Sequence, residues 1–188
     1  LTQDLTGLPP SAEELEAFLS DPDPDAYTRA VDCLLSSPHH GEHWARHWLD
    51  LVRYKETHGS EHDPLLPHAW KYRDYVIRAL NQDVPYDRFV HEHLVGDRLP
   101  PRWNQELGIN ESLLGTMFYR FVEFYPTPVD VKNEEATIVE SQIDAFGKTF
   151  QALTLACARC HDHKFDAVSA HDYYALYGIF ASARPTMH

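Results

Sequence analysis

The sequence predicts an all-α fold, an irregular helical domain with long loops, on three observations. Apolar residues recur at spacings of three and four along most of the chain, no stretch sustains the alternation of a half-buried strand, and proline and glycine fall at the joints. The chain has 188 residues and is 43% hydrophobic, enough for one compact domain over 1–188 with a sizeable core.

Each element has its own signal. Ser11 with Glu14 three residues on forms a capping box after "GLPP" and opens a short helix through Phe18 and Leu19. A second helix is expected over 25–36, with Cys33 among Val31, Leu34 and Leu35 as a small buried apolar residue. "SPHHGEHWARHWLDLVRYKE" places Trp44, Trp48, Leu51 and Val52 at helical spacing and gives the third helix an aromatic face. The segment 57–69, "THGSEHDPLLPHA", breaks the period with glycine and prolines and reads as a loop. Helices resume at "WKYRDYVIRALN" and "PYDRFVHEHLVGD", then the linker "RLPPRWNQELGIN" leads to "ESLLGTMFYRFVEFY". From Glu134, the residues Val139, Ile143, Phe146, Phe150, Leu153, Cys157 and Cys160 follow one stripe of a single long helix. Ser169 with Asp172 caps a last helix faced by Tyr173, Leu176, Tyr177 and Phe180.

Charge narrows the function. Sixteen basic residues against twenty-nine acidic ones give a net charge of −13, which excludes a phosphate-binding surface, and with it nucleic acid, and favours cationic partners. No apolar run is long enough to span a bilayer, and "LTQDLTGLPP" has neither the basic start nor the apolar core of a signal peptide. The expectation is a mature chain or an excised domain.

The chemistry concentrates in "LTLACARCHDHKFDA". Cys157, Cys160 and His161 spell C-x-x-C-H, the attachment signature of c-type haem, in which two thioethers fix the porphyrin and the histidine ligates iron. At the C-terminal end of the long helix, thiols at i and i+3 face the same way, as two vinyl groups on one porphyrin edge require, with Phe146, Phe150 and Leu153 as an apolar wall. Zinc held by Cys157, Cys160 and His161 or His163 is the rival, although no second ligand pair completes it nearby. A disulfide or a buried thiol pair is the third reading.

The stretches "DLTGLPPS", "SPHHGEHWARHWLDLVRY", "HAWKYRDYVIRALNQDVPYDRFVHEHLVGD" and "CARCHDHKFDAVSAHDYYALYGIF" together closely resemble a domain family of unknown function found in planctomycete proteins, often beside a cytochrome c domain. The resemblance spans almost the whole chain and implies an exported, multi-domain setting, the periplasm or an equivalent oxidising compartment. It places the family's signature residues on Arg46, His47, Trp48, Asp50, Arg53, Tyr54, Cys157, Cys160, His161, His163, Lys164 and Asp166. Cys33 and Ala167 depart from the pattern, where a basic residue and a proline are more usual. Spacing and resemblance together favour haem over zinc.

Function then turns on the second axial ligand. On a helix, His163 points away from His161 and is expected to hydrogen-bond a propionate or an acidic side chain, helped by Lys164. His47, between Trp44 and Trp48, is the first candidate for the distal position, ahead of His58 and Met117; the bland alternative is a core histidine bonded to a carbonyl or to Asp50. The reading is a monohaem c-type cytochrome that passes single electrons, with an acidic face for basic redox partners such as basic cytochromes. An open, five-coordinate iron would instead make a peroxidase-like or small-molecule oxidoreductase, and a structural zinc module is the third class. A homo-oligomer is open. Two acidic loops, "KETHGSEHD" and "PVDVKNEEA", offer Glu61, Asp63, Asp130 and Glu134 as oxygen ligands for calcium near the haem.

Overall fold

A computed structural model describes residues 1–59, 63–122 and 128–183. The fold is all-α and irregular, with long loops and, among the described residues, two short strands. The chain divides into two compact units, one of Leu1–Leu49 with Lys71–Gly115, the other of Asp50–Trp70 with Thr116–His188.

The first unit opens with α1 (Thr2–Thr6), α2 (Ala12–Ser20) and α3 (Ala26–Leu35), and the Ser11–Glu14 capping box forms as expected. Neither α2 nor α3 buries a residue, so Cys33 is exposed rather than part of a core. Helix α4 (Pro38–Leu51) buries the small residues Gly41 and Ala45, one turn apart. They let α5 (Ala69–Asn81) come close: a Cβ on Gly41 would lie 2.5 Å from the Ile77 carbonyl oxygen. The Gly41 N–H donates to Asn81 Oδ1 at 2.8 Å, and Asn81 Nδ2 donates back to Pro38 O at 3.1 Å. Helix α6 (Tyr86–Val95) follows, then a hairpin of β1 (Trp103–Asn104) and β2 (Ile109–Asn110) inside the expected linker, and α7 (Glu111–Leu114).

The centre of this unit is ionic. Glu92 is fully buried and accepts from Tyr75 Oη (2.8 Å), Arg88 Nε (3.0 Å), both Nε and Nη2 of Arg102 (2.9 and 2.8 Å) and Ser112 Oγ (3.2 Å). Buried Glu111 takes a two-point contact from Arg78, 2.7 and 3.1 Å. A buried carboxylate is tolerable only when paired and fully hydrogen-bonded, and both of these are paired with arginine. Next to Glu92, His93 donates from Nδ1 to Phe89 O (2.7 Å) and accepts at Nε2 from Tyr72 Oη (2.7 Å) and Trp48 Nε1 (3.1 Å). That pattern fixes a neutral imidazole.

In the second unit α8 (Val131–Phe146) and α9 (Ala170–Ser182) enclose a core of Ile143, Leu155, Ala158, Tyr173 and Phe180. The Ser169–Asp172 capping box forms as the sequence suggests. The long helix does not. Helix α8 passes at Gly147 into a π-turn over Gly147–Gln151, Ala152 takes a left-handed conformation (φ 55°), and the chain restarts as a separate 3-10 turn over Leu155–Arg159. The expected stripe from Val139 to Cys160 is therefore broken in the middle.

Stability is expected to fall with acid in two windows. Burial pushes His93 down from 6.5 to about 4, so the unfolded chain binds its proton first, and the stability from keeping this ring neutral is lost as pH falls from about 6.5 to about 4. Burial would raise Glu92, but hydrogen bonds from Arg102, Tyr75 and Arg88 outweigh it and hold the carboxyl down to about 2, so its contribution disappears between about 4.5 and 2. Each window corresponds to about 3 kcal/mol. Urea unfolding at stepped pH measures this, and a flat stability between pH 6.5 and 4 contradicts the buried neutral imidazole. Removing the carboxylate by Glu92→Ala strands two arginines and is expected to cost about 3–5 kcal/mol in the same measurement.

Candidate functional site: the cysteine turn

A 3-10 helix has three residues per turn, so residues three apart lie directly above one another. Over Leu155–Arg159 this sorts the side chains cleanly: Leu155 and Ala158 are buried in the core, while Cys157 and Cys160 are exposed. Both thiols are free. Cys157 lies within the turn and Cys160 follows it directly, as its C-cap.

The turn is held from three sides within its unit. Gly147 packs so closely beneath it that a Cβ there would meet Leu155 Cγ at 2.7 Å and Leu153 O at 2.9 Å, and Leu153 N–H donates to Gly147 O at 3.1 Å. Arg159, between the two cysteines, donates to Glu140 of α8 at 2.6 Å. Its carbonyl accepts from Tyr174 Oη of α9 at 3.1 Å. Beyond the turn, Asp162 Oδ1 accepts the Ala170 N–H at 2.8 Å, at the start of α9.

His161 is exposed, and its Nδ1 donates to the Asp162 carbonyl at 2.8 Å. A histidine that gives one ring N–H to a carbonyl presents the other nitrogen, Nε2, as a lone pair, the usual arrangement of a metal ligand. His163 is not on a helix. Its Nδ1 accepts the backbone N–H groups of Asp166 (2.9 Å) and Phe165 (3.3 Å) and lies 3.1 Å from Asp166 Oδ2, while its Nε2 lies 3.5 Å from Thr154 Oγ1. With Nδ1 accepting amides it is unprotonated, so the approach of Asp166 is proximity rather than an ion pair. His163 thus ties the loop after the motif to itself. Lys164 is exposed, its ammonium 5.2 Å from the Phe165 ring, and Phe165 is 84% exposed.

Two free thiols on one edge of a turn, followed by an imidazole with Nε2 available, fit the attachment of haem c. Among the described residues no group of three or more His, Cys, Asp or Glu side chains is placed to hold a metal ion. The proposed wall is different, because Phe150, past the break, packs half-buried between Phe118 (5.7 Å) and Phe146 (5.8 Å).

A family model for a protein of unknown function, PSCyt2 (DUF1549), matches residues 1–185. The chain belongs to this family. No curated protein and no solved structure matches it.

Other expected site residues of this family member are placed as follows. His47 is exposed on α4 in the first unit, its ring 5.4 Å from Trp44 and 5.8 Å from His43. It is not enclosed between tryptophans, because Trp48 turns inward to Tyr72 and His93 and Trp44 is 43% exposed. His58 lies in the same unit as the cysteine turn, and burial together with Lys55 and Arg120 lowers its pKa, keeping the ring neutral. Met117 is half-buried. Of the calcium ligands expected near the haem, Asp63 accepts the Gly59 N–H at 2.8 Å, Asp130 caps α8 by accepting from Lys132 and Asn133 at 3.0 and 3.1 Å, and Glu134 sits in the first turn of α8. Glu61 lies outside the described residues. Sequence reasoning missed Glu140, Arg159 and Tyr174; Arg159 inside the motif was the one visible signal.

Gly147→Ala is expected to cost about 1–3 kcal/mol, because its methyl meets a backbone oxygen that cannot move aside. Glu140→Gln, at a half-exposed pair, is expected to cost no more than about 1 kcal/mol. Chemical denaturation of both variants checks this, and equal costs would show that the π-turn does not seat the cysteine turn.

Proposed function

We propose that this chain is a monohaem c-type cytochrome domain that transfers single electrons, with an acidic surface for basic redox partners, in an exported, oxidising setting. The observation that carries the reading is His161: its Nδ1 donates to a carbonyl at 2.8 Å, leaving Nε2 for iron, directly after two free, exposed thiols. When bound, haem supplies one-electron chemistry at its iron. The chain supplies the rest. Cys157 and Cys160 anchor the ring, His161 gives the proximal nitrogen, and Gly147, Glu140 and Tyr174 keep the turn from shifting. Lys164, exposed beside the motif, offers a cation to a propionate. His47 is proposed as the distal ligand, and His58, neutral and in the same unit as the turn, is its competitor. The net charge of −13 favours lysine-rich partners and steers them at low salt.

Produced with a cytochrome c maturation system, the protein is expected to keep its visible spectrum after acid–acetone extraction, and to lose it when both cysteines are replaced by alanine. A colourless protein carrying one equivalent of zinc contradicts the reading. His47→Ala is expected to open the reduced iron to carbon monoxide. An unchanged spectrum in that variant, with opening in His58→Ala, would move the distal assignment to His58.

A further inference from the structure

Residues 7–25 are exposed throughout, and α2 lies entirely within them. A nine-residue helix with no buried residue is marginal in water on propensity alone. Yet α2 carries Leu15, Phe18 and Leu19 at i, i+3 and i+4, exposed by 48, 41 and 73%. At 100° per residue these three form one stripe, with Glu14 and Glu16 on its two sides. The helix is nevertheless held in place. Its N-terminus is closed by the Ser11–Glu14 box, and its exit is clamped by Arg29, which pairs with Asp21 (2.6 Å) and Asp23 (2.7 Å) across the turn into α3. Residues 1–36 hold eight acidic side chains and a single basic one, and that one, Arg29, is spent on this clamp.

We propose that the Leu15–Phe18–Leu19 face of α2 is a docking site for a basic amphipathic helix of a partner protein. Apolar contact at the stripe excludes water, and lysines of the partner meet the acids that flank it. Charge decides the occupant: the same acids repel a second copy of this segment and the anionic headgroups that recruit interfacial helices. The proposal gives the docking part of the proposed function a place on the molecule. Its test uses no haem, so its failure and a failure of haem attachment are read separately.

The probe is a synthetic helical peptide with leucines on one face and lysines on the other, titrated into the full chain and followed by amide chemical shifts. Shifts are expected within residues 11–35, with at least about tenfold weaker binding for the Phe18→Ser/Leu19→Ser variant. Binding should weaken by at least about twofold for Glu16→Gln, and by about tenfold when salt is raised to about 0.5 M. A peptide of the same composition, scrambled out of helical register, should bind at least about tenfold more weakly. Equal binding of the scrambled peptide, shifts centred elsewhere, or undiminished binding by the Phe18/Leu19 variant overturns the proposal. So does binding of phosphatidylglycerol vesicles, or a dimer that sedimentation shows is lost in that variant. Because every substituted side chain is exposed, unchanged far-ultraviolet circular dichroism suffices to show that the variants remain folded.

Discussion

At Gly147 the backbone of α8 lies so close to Leu153 and Leu155 that no side chain fits, and the cysteine turn rests on that contact. The helix has to loosen into a π-turn there, and Ala152 completes the reversal with a left-handed φ of 55°. The chain then re-enters the core through Leu155 and Ala158, and a three-residue period leaves Cys157 and Cys160 on a solvent edge. An uninterrupted α-helix would have moved successive i+3 positions around its axis. The break is what makes a presented turn out of a buried stripe.

The first unit applies a different constraint, the satisfaction of buried charge. Three arginines, Arg78, Arg88 and Arg102, are drawn toward two buried glutamates, so part of the chain's positive charge is withdrawn from the surface. The two glutamates are withdrawn with them, so the balance outside stays close to that of the composition. In residues 1–36 the one arginine is already neutralised by two aspartates.

Much of this was legible in the sequence, and the failures have physical reasons. The capping boxes at Ser11 and Ser169 mark their helices because they satisfy backbone donors locally, with no help from distant residues. The break in α8 was hidden because Phe146, Phe150 and Leu153 keep helical spacing across it, while Phe146 and Leu153 pack against the same core and Phe150 against Phe146. Gly147 was the only local hint, and its role lies in a contact with residues that follow it. The ionic centre was hidden for another reason. Arg88 and Glu92 read as an ordinary i,i+4 surface pair, and Arg102 reads as part of a proline-rich linker; only tertiary structure brings them together. Cys33 was misjudged because its helix has apolar residues but buries none of them.

In the site itself the motif points to candidate residues for the proposed chemistry but not to how they are held. The hydrogen bonds from Arg159 to Glu140 and from Tyr174 to the Arg159 carbonyl join residues 15 or more positions apart, beyond any local pattern. The central claim is that this turn is a finished attachment site for one haem. Peptide mass spectrometry of the protein, matured with haem supplied and digested around residues 153–164, tests it most directly. The account predicts a single peptide carrying one haem bonded through both Cys157 and Cys160. Recovery of that peptide unmodified, or with the two cysteines joined as a disulfide, would contradict it.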